Sequence, residues 1–427
     1  MDINPKIKED ILDILFRATI CLDERDADEI SRLSDMTIHN ASIFQDGYSI
    51  QIAICLYALS KIIAAKPQTS SDFSARFTQA RELVEKEQWQ SYGTFMDKVL
   101  ARISELDSNL NRYRADVLSQ AQIKKGCSLY SHGLSVCQSA ALTGASQWEL
   151  YNYIGKTTIH DDGSNSLENL DKRLEFTREL FSLAPSAKSK PQMNKTIVFD
   201  TGPIITMAMT NLLSLLPRLK SAFAGDFLIP SAVHRELIER PLATRSHKLE
   251  AFQVFPYIND GTLQVIDTEL LRTRAAELSA IANNIYWAQG QPIQIVHEGE
   301  LEALALMLIV GASTMVVDER TMRYLIETPS KLLDRLEYKL HTKVTVNKAD
   351  LERFKLLVKQ IHTIRSVELL TYAFESGLFS HELNLADSLP HNRTDFYEGL
   401  LWGLKYAGCG VSDYEIDDLL KHVSSPL

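Results

Sequence analysis

The sequence predicts an α/β chain: a three-layer α/β/α domain with a parallel sheet of about five strands, preceded by an all-α N-terminal region. Three observations carry this. Up to Leu183 the chain places apolar side chains at three- and four-residue spacing, with few β-branched runs. A Pro-, Ser- and Lys-rich stretch, Ala184–Asn194 (APSAKSKPQMN), then breaks the pattern. Beyond it, short β-prone runs alternate with longer helical ones, the rhythm of parallel strands with helices on both faces.

Taken in order, Ile7–Cys21, Ile50–Ala65 and Phe95–Ala121 read as helices, and Leu167–Leu183 as an amphipathic one with Leu170, Leu174 and Leu180 on its apolar side. Thr196–Phe199 is the first strand, ending in Asp200-Thr201-Gly202-Pro203 ahead of an apolar helix, Ile204–Leu216. Phe227–Ile229 is a second strand, and Pro230 suits the first turn of the helix after it. Leu263–Ile266 is a third, followed by helices Glu269–Trp287 and His297–Val310. Thr314–Val317 is a fourth, ending in Asp318, and Lys343–Val346 a fifth; beyond Asn347 the chain reads as helical to its end. The expected organisation is a helical region 1–120 with an interaction or dimerisation role, a second helical region 121–183, a linker 184–194, the α/β domain 195–346 and a helical extension 347–427 packed on it.

Composition narrows the function classes. Lys and Arg number 45 against 55 Asp and Glu, a net −10, which argues against indiscriminate coating of nucleic acid through clustered cations. Hydrophobic residues at 45% and charged residues at 23% exclude wholesale disorder. Cys21, Cys55, Cys127, Cys137 and Cys409 are scattered without metal-site spacing and read as reduced thiols. The start, MDINPKIKEDILDIL, lacks the apolar block of a signal peptide. Ala303–Val317 reads as the most apolar stretch, short of the roughly 20 residues a bilayer needs. The chain is therefore expected to be soluble and cytoplasmic, with no membrane partner.

The chemistry is expected at the carboxyl ends of the strands, where ligands bind in open parallel sheets. Asp200 and Asp318 each directly follow a strand and share one rim; each also suits a helix N-cap. Glu302 lies among the apolar Ala305, Leu306 and Ile309, so its carboxylate needs a partner, an arginine or a metal ion. Glu298 and Glu300 stand in the same opening turn, where first-turn charge complements the helix dipole. Glu236 sits beside Val233 and Leu237, with Arg240 four residues on as an ion-pair partner. Carboxylates brought together repel unless a cation neutralises them, and all-oxygen ligation points to Mg2+ or Mn2+ rather than zinc.

IVFDTGPI, IPSAVHREL, HEGELEALALML and MVVDERTMRYL, in that order, resemble the four successive motifs of the PIN-domain nucleases. GELEALALML followed by VVDER is particularly similar to a prokaryotic subgroup of predicted nucleic-acid-binding proteins. The likeness covers about Lys195 to Thr328, and SVELLTYAFESGLF and YAGCGVSDYEID resemble the subgroup more loosely. The resemblance implies that Asp200, Glu236, Glu302 and Asp318 are the catalytic, metal-binding acids. The third position is usually Asp and is Glu here, with Glu300 a competing ligand, and the insert between Glu236 and Glu300 is long. It also implies hydrolysis of RNA phosphodiesters with one or two divalent ions. Thr201 is a candidate to orient a ligand or water, and Arg320 and Arg323 to contact backbone phosphates.

A second signal lies in Leu134–Gly155 (LSVCQSAALTGASQWELYNYIG). Ala140 and Ala141, Gly144 at a turn, Ser146 as N-cap, then Leu150 and Tyr153 follow helix-turn-helix spacing. Gln147 and Asn152 are its candidate contacts to duplex DNA; Glu149, Asp161 and Asp162 oppose phosphate approach. The leading expectation is a metal-dependent ribonuclease, with a homodimer as a candidate assembly. The rival is a regulatory or nucleic-acid-binding protein that uses the helix-turn-helix on a non-cutting scaffold. A toxin of a toxin–antitoxin pair fits the family, although this chain is far longer than a minimal toxin needs.

Overall fold

A computed structural model describes residues 3–108, 117–161, 167–182, 195–244, 246–380, 382–383 and 393–424. The expected linker 184–194 lies outside them. The chain divides into two compact units. One contains Met1–Ser146, Tyr286–Gln294 and Asp334–Thr345; the other contains Gln147–Ile285, Ile295–Leu333 and Val346–Leu427. The break at Ser146 falls inside the segment 121–183 that the pattern reads as one region.

The first unit is built on helices whose starts are fixed by short polar caps. Asn4 accepts from the Lys6 amide at 2.9 Å, Asp26 from Glu29 at 2.9 Å and Asp46 from Ser49 at 2.7 Å, opening Pro5–Glu24, Ala27–Phe44 and Gly47–Ala65. Ile11, Leu15, Leu33, Leu56, Phe73, Phe77 and Met96 are fully buried between them. Phe95–Ala121 is not one helix: Trp89–Ser108 and Val117–Ser131 occupy it, with 109–116 outside the described residues. Gly47–Ala65 corrects the reading of Ala303–Val317 as the most apolar stretch. At 19 residues it is long and apolar enough, by length and composition, to cross a membrane, and 72% of its apolar window is buried among neighbouring helices.

The strands are β1 (Thr196–Phe199), β2 (Asp226–Pro230), β3 (Gln264–Ile266), β4 (Tyr286–Ala288), β5 (Gln291–Pro292), β6 (Thr314–Val316), β7 (Val344–Val346) and β8 (His362–Ile364). The second unit carries a parallel sheet of five, in the order β3-β2-β1-β6-β8. Ile197 pairs with Phe227 and Thr314, and Met315 with Thr363. This is the predicted α/β/α architecture with one substitution. Val344–Val346 pairs instead in a small separate sheet, β5-β4-β7, and the fifth place goes to His362–Ile364, inside a tail that the pattern reads as all helix. Three residues are too few to show alternation; what makes them a strand is pairing, with Val317 N–H on Ile364 O and His362 N–H on Ser313 O, both at 2.8 Å. The helix expected over Glu269–Trp287 likewise stops at Ala282, because Tyr286–Ala288 turns through Gln289-Gly290 into β5. Ile204–Leu216 resolves into Thr201–Met209 and Leu215–Phe223, and Pro230 ends β2, with Ser231 opening the next helix.

All five cysteines are buried, and none forms a disulfide. The first unit also groups three histidines, His39 and His132 half-buried and His341 exposed. His132 Nδ1 donates to Ser128 O at 2.6 Å, so its Nε2 accepts from His39 Nδ1 at 2.9 Å, and His341 lies 5.6 Å from His39 between ring centres. Burial pushes His132 down to about 4, while the Ser128 carbonyl pulls the other way and His39, Lys339 and His341 add like charge. A histidine depressed in the fold stabilises it above its unfolded value of 6.5, and that stability is lost as pH falls toward 4. We predict that the melting temperature of the full chain drops across this window and that His132→Gln flattens the drop. Identical acid profiles for the two proteins would contradict it.

Candidate active site

The site lies at the carboxyl ends of β1, β2 and β6, as parallel-sheet topology requires. Asp200 follows β1 and is fully buried, and neither of its carboxylate oxygens has a hydrogen-bond partner. Burial raises it to about 7, with the charge of Glu236 adding to the rise, the Thr201 and Gly202 amides opposing it, and Glu319 adding further. An acid held so far above its usual range, with no side chain donating to it and only backbone amides opposing the shift, marks a candidate functional position.

Glu236 is 3% exposed and is held from several sides. Thr201 donates its hydroxyl to Oε2 at 2.5 Å, and Arg240 stands 3.5 Å from Oε1, the i,i+4 pair that the spacing predicts. A side chain on Gly299 would meet the same carboxylate at 3.0 Å. The backbone here widens to π-helical bonding over Arg235–Glu239, with Arg240 N–H on Arg235 O, a deviation frequent at functional sites. The Trp148 indole N–H reaches the Glu236 carbonyl at 3.5 Å, and its ring stacks on His247. Gly202 is required by close approach: a Cβ there would sit 2.5 Å from the Tyr151 hydroxyl.

The remaining predicted acids are differently employed. Asp318 is fully buried, but its Oδ1 accepts from Ser366 N–H at 2.7 Å and its Oδ2 from the hydroxyls of Ser366 and Thr206, both at 2.8 Å. The Cys409 thiol adds a contact at 3.5 Å. Burial raises its pKa against these bonds. Glu302 caps the helix that leads to Glu236: Oε2 accepts from Ala232 N–H at 2.7 Å and Ser231 Oγ at 3.0 Å, and Arg235 approaches Oε1 at 3.5 Å. Glu300 accepts from the His297 amide at 2.8 Å at the start of its own helix, and Glu298 pairs with Arg235 at 3.0 Å.

Glu319 is the acid that the sequence reading missed. Its Oε2 caps the next helix through Met322 N–H at 2.7 Å, while Oε1 is buried without a partner. Burial raises it against the Met322 and Thr321 amides and Arg323. The signal available was its position directly after Asp318, at the N-cap of the next helix.

The two arginines proposed for phosphates are buried in the fold. Arg320 is 1% exposed and donates to His160 O at 2.8 Å; Arg323 is 3% exposed and donates to Gly410 O at 3.3 Å. Neither stands where a phosphate could reach it. In the helix-turn-helix segment, Gly144 takes the expected left-handed turn at φ 71°, ending Val136–Thr143, and Gln147–Gly155 is the second helix. The helices fall in different compact units. Gln147 is buried, which removes it as a base contact, and Asn152 is half-buried at a cleft of about 570 Å3.

Among the described residues, no group of three or more His, Cys, Asp or Glu side chains is arranged to hold a metal ion. The donor chemistry nevertheless fits a hard divalent cation: unbonded carboxylate oxygens of Asp200 and Glu319 and the charge of Glu236, all oxygen.

Residues 196–328 match a family model described as a PIN domain. PIN domains are generally nucleases and generally use divalent metal ions. No curated protein and no solved structure matches the chain significantly.

Two predictions follow from the contrast between Asp200 and Asp318. A carboxylate raised in the fold favours folding at low pH, and that advantage is lost as pH rises from 3.8 through about 7. Asp200→Asn is therefore expected to stabilise the metal-free chain above pH 7 by roughly 1–4 kcal/mol, with the gain fading on acidification. Thermal melts in chelator and in Mg2+ check this, since Mg2+ should raise the wild type alone; no stabilisation of the variant above pH 7 would refute it. Asp318→Ala, by contrast, strands three buried donors and should cost about 3–5 kcal/mol in denaturant titration. A variant as stable as the wild type would show that those bonds hold nothing together.

Proposed function

We propose that the chain is a metal-dependent ribonuclease whose reacting centre is the Asp200–Glu236 pair. The observation that carries this reading is Asp200 itself: fully buried, with no side chain donating to either oxygen, and raised to about 7 beside a second acid. Asp318, Glu302, Glu368 and Glu415 are each given donors or arginines, so an acid that no side chain partners is placed for something that arrives from outside.

Asp200 and Glu236 would hold a Mg2+ or Mn2+ ion, with the unbonded oxygen of Glu319 completing the acidic wall. A divalent ion bound there supplies Lewis-acid chemistry, lowering the pKa of a water nucleophile and neutralising charge on the scissile phosphate. The chain's own residues fix the geometry. Thr201 locks the Glu236 carboxylate by donating to it, and Arg240 limits the negative charge that an approaching polyanion meets. Glu302 acts one step back, pinning the first turn of the helix that presents Glu236.

Single-stranded RNA is expected to be cleaved in Mn2+ or Mg2+ and left intact in chelator. Asp200→Asn and Glu236→Gln should each lower the rate by at least about a hundredfold with the circular-dichroism spectrum unchanged. Cleavage that survives chelation and both substitutions would overturn the mechanism.

A further inference from the structure

The long insert between Glu236 and Glu300 contains the helix Lys248–Asn259, and its outward face is unusually apolar. Ala251 and Val254 are buried beneath it, while Leu249 is 68% exposed, Phe252 65% and Phe255 48%. Helical spacing places these three along one stripe. The helix packs on Thr201–Met209 and on Arg235–Glu239, the segments that carry Thr201 and Glu236. His247, at its start, stacks on Trp148, whose indole N–H reaches the Glu236 carbonyl. The stripe is thus the outward face of a helix whose buried side rests on the segments that carry the acidic centre.

Charge decides what such a face can hold. A polyanion led to Asp200 and Glu236 is repelled by them, and the chain's net −10 gives no general attraction. The cations beside the stripe are local: Arg240, with its side chain 53% exposed, and the exposed Lys248. Cations for the backbone next to flat aromatic faces for the bases are the combination by which single strands are held without sequence readout. Duplex bases, already stacked on each other, cannot use it.

We propose that Phe252 and Phe255, with Leu249 beside them and Arg240 and Lys248 alongside, form a stacking platform on which single-stranded RNA lies as it enters the acidic site. The substrate rests on the ribonuclease reading; the platform itself is tested by binding alone. The experiment uses the full chain carrying Asp200→Asn in chelator, and the anisotropy of a fluorescein-labelled single-stranded RNA of about ten nucleotides. Phe252→Ala and Phe255→Ala should each weaken binding by roughly 5- to 150-fold, the loss of one stacked base. Phe252→Trp should retain affinity and Phe252→Leu should not, whereas Leu356→Ala, an exposed apolar side chain on the helix Lys348–Val358, should change nothing. A hairpin duplex should be indifferent to all of these substitutions.

Unchanged affinity in both alanine variants overturns the platform, as does full retention by Phe252→Leu, which would mark a merely apolar contact. A wild-type dimer in sedimentation that Phe252→Ala turns to monomer, with RNA affinity unchanged, assigns the face to a second copy and also overturns it. If the wild type binds the strand through these phenylalanines yet cuts nothing in Mn2+, the ribonuclease reading falls and the platform stands. If it cuts while the alanine variants bind normally, the platform alone falls.

Discussion

The hydrogen bonds converging on Asp318 organise the active end of the sheet. Thr206 comes from the helix after β1 and Ser366 from the helix after β8, and β1 and β8 are the two neighbours of β6. One carboxylate thus ties together the crossovers on either side of its own strand. Since both of its oxygens are engaged, the anionic character left open at this rim belongs to Asp200 and to one oxygen of Glu319.

How the fold treats its other buried acids sharpens that point. Glu368 and Glu415 are buried against Arg365, itself fully buried, with Arg173 close by. Burial alone would raise both acids; the arginines outweigh it and hold them below the usual carboxylate range. Arg365 then donates to Gly410 O at 2.8 Å, the carbonyl that Arg323 also reaches. Where this chain buries a carboxylate for structure, it supplies the counter-charge or the donors from within. Asp200 breaks that habit, with no arginine or side-chain donor against it and only the Thr201 and Gly202 amides opposing its raised pKa, and such breaks concentrate at functional sites.

The sequence pattern exposed position far better than orientation. Asp200 and Asp318 could be placed at strand ends because each closes a β-prone run, and four of the five parallel strands followed from alternation. Which way each side chain turns depends on Thr206, Ser366 and Cys409, residues distant along the chain whose convergence no local pattern encodes. Glu302 shows the same limit. Its apolar neighbours correctly demanded a partner, but the partners are a backbone amide, a serine hydroxyl and Arg235. Arg320 and Arg323 looked like surface charge because the carbonyls that hold them belong to residues 160 and 410. β8 was invisible for a related reason, since three residues become a strand only beside Thr314–Val316.

Glu236 closes the account of why the centre sits where it does. Its carboxylate is contacted from the β1 crossover by Thr201 and from its own helix by Arg240, and it crowds Gly299 at the head of a third element. Its carbonyl is approached by Trp148 from a fourth. A residue approached from four separate segments, three of them at its carboxylate, has little freedom, and the π-widened turn it sits in is the backbone deviation that such fixing sustains. Asp200 faces the opposite condition, immobilised by burial with no side chain donating to either oxygen. A rigid acid beside an unsatisfied one is what a hard cation selects, because the first sets the geometry and the second supplies the unmet charge. The scaffold thus sets a fixed acid beside one whose carboxylate oxygens no side chain satisfies.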